Sequence, residues 1–104
     1  MELIHRFVTE PRQSFFLFGP RGTGKSTWVG RRFGNALRID LLAPDVFRAY
    51  SARPERLREV VLGNPRAKVL VIDEVQKVPE LLGVVHSLIE GTRGRKFVLT
   101  GSSS

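Results

Sequence analysis

The stretch Gly19-Pro20-Arg21-Gly22-Thr23-Gly24-Lys25-Ser26 decides the fold, because it matches the pattern G-x-x-x-x-G-K-[ST] at every fixed position. It lies between an apolar run, residues 14–18, and a segment of helical pattern that we predict from residue 24 to about residue 33. Glycines let the backbone wrap around a phosphate with its amides pointing inward, and a helix that begins there adds its positive end. A strand, this loop and a helix in that order predict a phosphate-binding loop.

The side chains of this loop have separate expected roles. We expect Lys25 to reach the β- and γ-phosphates of a nucleotide and Ser26 to place its hydroxyl on Mg²⁺. Thr27 could bond the α-phosphate, and Arg21 could either touch phosphate or point to solvent. An ordinary glycine-rich turn would not need a Lys-Ser pair at this place. The predicted nucleotide-binding residues are Gly19, Pro20, Arg21, Gly22, Thr23, Gly24, Lys25, Ser26 and Thr27.

Apolar runs alternate with helical patterns along the chain, which is typical of βαβ units around a parallel sheet. The predicted strands are residues 14–18, 36–41, 68–72 and 96–100. Helical patterns lie between residues 44 and 62, where Pro54 divides the segment into two pieces, and between residues 79 and 90. The last helix carries a predicted apolar stripe made of Leu81, Leu82, Val85, Leu88 and Ile89. The pattern predicts one α/β domain over residues 1–104.

Two carboxylates, Asp73 and Glu74, follow the third predicted strand directly. Strands of a parallel sheet point their carboxyl ends at the ligand crevice, so Asp73 can face a metal-nucleotide complex from across the sheet. We expect Asp73 to be an Mg²⁺ partner together with Ser26, with water between Asp73 and the metal. Glu74 is the candidate base for an attacking water. Two acids at the end of a strand more often belong to a solvated turn than to a metal site. The predicted phosphate loop upstream makes the metal site the favoured interpretation.

Hydroxyl groups at the end of the fourth predicted strand form a third candidate. Thr100 or Ser102 could hold the attacking water or sense the γ-phosphate. A small polar residue that merely ends a strand is the open alternative. The predicted catalytic residues are therefore Lys25, Glu74, Thr100 and Ser102.

These motifs together resemble a known family. The stretches F-G-P-R-G-T-G-K-S-T, I-D-L-L-A-P-D-V-F, V-L-V-I-D-E-V-Q-K-V-P-E-L-L and K-F-V-L-T-G-S-S are similar to the amino-terminal core of prokaryotic AAA-type P-loop ATPases. The resemblance runs from about Phe15 to the last residue. Its most diagnostic parts are residues 73–79 and 99–103.

The resemblance implies a fold and a set of roles. The fold is a three-layer α/β/α sandwich, a P-loop NTPase core of about four parallel strands in the order 1-4-3-2. The loop is then expected to bind ATP, Asp73 and Glu74 to serve Mg²⁺ and hydrolysis, and Ser102 to be the sensor. Family members continue past the T-G-S-S segment with a fifth strand and a helical lid. We therefore expect the sequence to stop before the fifth strand, with the carboxyl-terminal part of the domain missing.

Composition narrows the remaining function classes. The absence of cysteine excludes disulfides, thiolate metal sites and a cysteine nucleophile. The longest apolar runs have four residues, far fewer than the roughly 20 that cross a bilayer, so we expect no membrane span and a cytoplasmic location. The net charge of +7 is compatible with a DNA partner, although scattered arginines favour an ordinary solvated surface.

Two rivals to the ATPase prediction stay open. One is a nucleotide-gated DNA- or protein-binding module with little turnover, and the other is a small-molecule kinase. Glu74 argues against the kinase, because water activation needs such a base and a kinase needs an acceptor pocket instead. A homo-oligomer is a possible assembly for each of these three functions.

Overall fold

Four parallel strands form one sheet in the computed structural model, which describes residues 14–19, 31, 35–91 and 94–102. The strands are β1 (Phe15–Gly19), β2 (Leu37–Asp40), β3 (Val69–Asp73) and β4 (Lys96–Ser102). Their order is β1-β4-β3-β2. The predicted α/β class, the parallel sheet and the predicted strand order are thus confirmed.

Within the described residues, helices connect β2 to β3 and β3 to β4, as the sequence predicts. The segment between β2 and β3 forms α1 (Pro44–Ala52) and α2 (Arg56–Leu62), and α3 (Leu81–Gly91) leads from β3 to β4. Pro44 stands in the first turn of α1, where its missing N–H and fixed φ suit a helix start. A short 3₁₀ helix, Val75–Lys77, follows β3 and was not predicted. Pro20 to Thr27 of the predicted loop, and nearly all of the helix predicted after it, lie outside the described residues.

The buried face of α3 differs from the predicted stripe. Leu81, Val84, Val85 and Leu88 are buried against the sheet and α2, whereas Leu82 and Ile89 are both 44% exposed. Residues 81, 84, 85 and 88 share one face because a helix turns about 100° per residue, and residues 82 and 89 lie one step round from it. The prediction was therefore wrong for Leu82 and Ile89, and it omitted Val84.

Parallel register brings the carboxyl ends of the strands to one edge of the sheet. Gly19 of β1 lies opposite Ser102 of β4, and Asp40 of β2 lies opposite Asp73 of β3. The pairing of Ile72 with Leu99 joins the two central strands, so the residues that follow this pair meet at the same edge. We call this side of the sheet the carboxyl edge.

Candidate functional site

Asp73 ends β3, one of the two central strands, and is only 3% exposed. Its Oδ1 accepts a hydrogen bond of 3.1 Å from the Thr100 hydroxyl, and its Oδ2 lies 2.5 Å from Nε of Arg38. A buried carboxylate is costly without a partner of opposite charge, and Arg38 supplies one. Each of the two carboxylate oxygens therefore accepts one hydrogen bond from the protein.

Arg38 reaches Asp73 because of the strand register. Asp40 is the register partner of Asp73, and Arg38 stands two residues before Asp40 on β2. Side chains alternate along a strand with period two, so all three point to the same face of the sheet. A long side chain then spans the diagonal between adjacent strands.

Thr100 ties the two acidic residues to β4. Its side chain is fully buried, and its hydroxyl donates to Asp73 while accepting a hydrogen bond of 3.0 Å from the backbone N–H of Glu74. One hydroxyl has one proton and two lone pairs, and these two contacts use it as both donor and acceptor. The turn after β3 is therefore fixed against the neighbouring strand.

Glu74 adopts a backbone conformation that residues other than glycine rarely take. With φ 60° and ψ 48° it is left-handed, and it is the sole residue other than glycine with a positive φ in the described part of the chain. Such a conformation costs of the order of 1–3 kcal/mol and persists only where neighbouring contacts impose it. Strain of this kind often marks a functional position.

The carboxylate of Glu74 is buried and held from two sides. The residue is 5% exposed. Its Oε2 accepts a hydrogen bond of 2.9 Å from the Ser102 hydroxyl, and its Oε1 accepts one of 2.7 Å from the Gln76 amide. These contacts fix the direction in which the carboxylate points.

The predicted phosphate loop begins beside these groups. Gly19, its first residue, ends β1 directly opposite Ser102, and adjacent strands are about 4.8 Å apart. The carboxyl edge thus gathers Asp73, Glu74, Thr100 and Ser102 from the predicted site, next to the point where the loop starts. Lys25 and Ser26 lie outside the described residues, so their predicted roles stay predictions.

The donor atoms at this edge suit Mg²⁺. Carboxylate and hydroxyl oxygens are hard ligands, which Mg²⁺ prefers to nitrogen or sulfur. Within residues 14–19, 31, 35–91 and 94–102, no group of three or more His, Cys, Asp or Glu side chains could hold a metal ion on its own. That arrangement fits Mg²⁺, which is usually held by one or two carboxylates together with substrate phosphates and waters.

Comparison with known proteins identifies the family. A family model described as the AAA domain matches residues 11–104. The chain belongs to this AAA domain family. It is thus a nucleotide-binding domain of the ATPase type, as the sequence motifs predicted. No curated protein and no solved structure gives a significant match.

The described part of this AAA domain contains no helix that is long and apolar enough to cross a membrane.

Two residues at the site of this AAA domain, Arg38 and Gln76, were not predicted from the sequence. Arg38 was missed because its role depends on the register between β2 and β3, although an arginine two residues before an acid on that strand is a usable signal once the strand order is known. Gln76 lies in the diagnostic stretch after Asp73 but received no role. Its contact with Glu74 depends on the left-handed turn at Glu74 and on the 3₁₀ helix that follows.

Proposed function

We propose that this AAA domain binds ATP with Mg²⁺ and hydrolyses it, with Glu74 as the base that activates water. One observation carries the proposal. The buried carboxylate of Glu74 is hydrogen-bonded to Gln76 and to Ser102, which lies opposite Gly19, where the predicted phosphate loop begins. A strained backbone next to a second buried acid is typical of functional sites, which supports a catalytic role for Glu74.

The loop residues Gly19 to Thr27 are proposed to hold the triphosphate through backbone amides and through the Lys25 ammonium. Ser26 and Asp73 would hold Mg²⁺. The bound ion would neutralise phosphate charge as the terminal phosphoryl group is transferred.

Glu74 would accept the proton of a water molecule as the water oxygen attacks the γ-phosphorus. The bond between the γ-phosphorus and the β–γ bridging oxygen breaks, and ADP leaves with that electron pair. Ser102 and Thr100 act beside the base. The Ser102 hydroxyl contacts the Glu74 carboxylate, and the Thr100 hydroxyl fixes the Glu74 backbone and Asp73.

The substitution Glu74→Gln tests the proposal, because it removes the base and keeps the size of the side chain. We expect ADP production to fall at least about a hundredfold, while the affinity for ATP changes less than about threefold, because the phosphate contacts remain. Calorimetry would measure the affinity, and a coupled phosphate-release assay the rate. Glu80→Gln is the matched control, because Glu80 is an exposed glutamate a few residues along the chain. Hydrolysis by Glu74→Gln at the parent rate would refute the assignment of the base.

A second candidate function is a nucleotide-gated binding module with little turnover. Both carboxylate oxygens of Glu74 accept hydrogen bonds from the protein, which withdraws electron density from the base. The same assay separates the two functions. A parent chain that binds ATP but releases no more phosphate than Glu74→Gln would favour the module.

A further inference from the structure

The contact between Arg38 and Asp73 places a cation where a metal ion would bind. The Arg38 Nε lies 2.5 Å from Oδ2 of Asp73, and the Asp73 side chain is 5% exposed while that of Arg38 is 40% exposed. Relying on the proposed role of Asp73 as an Mg²⁺ partner, we propose that Arg38 is a built-in counter-ion that competes with Mg²⁺ for this carboxylate. Metal then engages Asp73 fully only when the guanidinium moves away.

Electrostatics sets the competition. Without metal, Arg38 neutralises the charge of the buried Asp73 carboxylate, which stabilises the metal-free fold. A divalent cation at the same carboxylate would repel the guanidinium at close range. The Thr100 hydroxyl, which is neutral, can keep its contact with Oδ1 in both states.

The surroundings of Arg38 give the displaced side chain a destination. It lines a groove of about 330 Å³ on the β2 side of the sheet, together with Asp40 and Asp45. Asp40 shares the strand and the face of Arg38. The guanidinium can therefore leave a buried carboxylate and remain close to exposed ones.

This competition makes metal binding depend on nucleotide. Metal alone would have to displace Arg38 without any gain from phosphate contacts, so the free chain should hold it weakly. The phosphates of ATP supply further oxygen ligands, and their binding tips the balance toward metal. Arg38 therefore opposes metal binding at Asp73 until nucleotide is bound.

The experiment measures metal binding without nucleotide or turnover. Mn²⁺ replaces Mg²⁺, and the loss of the electron paramagnetic resonance signal of the free ion reports how much is bound. We expect Arg38→Ala to bind Mn²⁺ at least about tenfold more tightly than the parent chain, and Arg38→Lys, which keeps the charge, to fall between them. Arg56→Ala is the matched control, because Arg56 lines the same groove and its removal changes the net charge equally. It should bind Mn²⁺ like the parent.

A further variant and a spectroscopic measurement complete the test. Adding Asp73→Asn to Arg38→Ala should abolish the gain in Mn²⁺ affinity, because that gain depends on the Asp73 carboxylate. In the unmutated chain, the ¹⁵N signal of the Arg38 Nε–H should shift when Mg²⁺ and a non-hydrolysable ATP analogue are added together. Equal Mn²⁺ binding by Arg38→Ala and the parent, or an unmoved Nε–H signal, would overturn the proposal. Neither readout requires hydrolysis, so each can fail while the assignment of Glu74 stands.

Discussion

Gln76 is a side chain outside the predicted site that contacts the proposed base, Glu74. Its amide donates the 2.7 Å hydrogen bond to Oε1 of Glu74, and its neighbour Lys77 is also exposed in the same 3₁₀ helix. We expect Gln76→Ala to lower kcat for ATP hydrolysis about tenfold, because a misaligned base transfers a proton less efficiently. KM for ATP should stay unchanged, since Gln76 is not expected to touch the nucleotide.

Steady-state kinetics would measure kcat and KM for this variant, with Lys77→Ala as the control that should match the parent. A rise in KM at unchanged kcat would show that Gln76 acts in binding and not in positioning the base.

At the scale of elements, α3 shows how its packing selects one face. Leu88 is buried and its neighbour Ile89 is 44% exposed, although both are large and aliphatic. We expect Leu88→Ala to lower the free energy of unfolding by about 2–5 kcal/mol, because it leaves a cavity in the core. Ile89→Ala should change it by less than about 0.5 kcal/mol. Urea denaturation would measure both, and similar losses from the two variants would contradict the observed orientation of α3.

Helix α1 carries a group whose ionisation is linked to folding. Burial raises the pKa of Tyr50 above its ordinary value of 10.0, and the nearby Arg56 guanidinium partly opposes this by charge and by a hydrogen bond. The folded chain thus holds the phenol proton more tightly than the unfolded chain does. The resulting stabilisation is complete below pH 10.0 and is lost as the pH rises through the raised pKa.

We therefore expect the parent chain to lose more stability above pH 10.0 than Tyr50→Phe, which has no phenol to ionise. Urea denaturation at several alkaline pH values would show the difference. Tyr50 is the only tyrosine in the sequence, so tyrosinate absorbance reports its ionisation directly. A midpoint at or below 10.0 would contradict the raised pKa.

At the scale of the whole molecule, parallel strands explain why the site could be predicted in outline. Apolar runs located the four strands to within about two residues, and polar residues at the carboxyl ends of parallel strands meet at one edge of the sheet. Asp73, Glu74, Thr100 and Ser102 are indeed brought together there. Their catalytic and metal-binding roles remain predictions.

The remaining details depend on features that a hydrophobic pattern does not encode. Contact between Arg38 and Asp73 requires a particular register of β2 against β3. The hydrogen bond from Gln76 to Glu74 requires a left-handed backbone conformation at Glu74, which is not a glycine. Helix α3 has so many apolar residues that its sequence fits two overlapping apolar faces. Only packing against the sheet and α2 determines which face is buried.

ATP binding by the intact chain tests the central claim most directly, namely that a phosphate loop beginning at Gly19 serves the carboxyl edge. Isothermal titration calorimetry with ATP and Mg²⁺ would compare the parent, Lys25→Ala and Lys68→Ala. Lys68 is an exposed lysine just before β3, at the opposite end of that strand from Asp73. We expect the parent and Lys68→Ala to bind ATP equally well, and Lys25→Ala to bind at least about tenfold more weakly because it loses a charge-assisted phosphate contact. Equal affinity of Lys25→Ala and the parent, or no binding by the parent, would contradict the account.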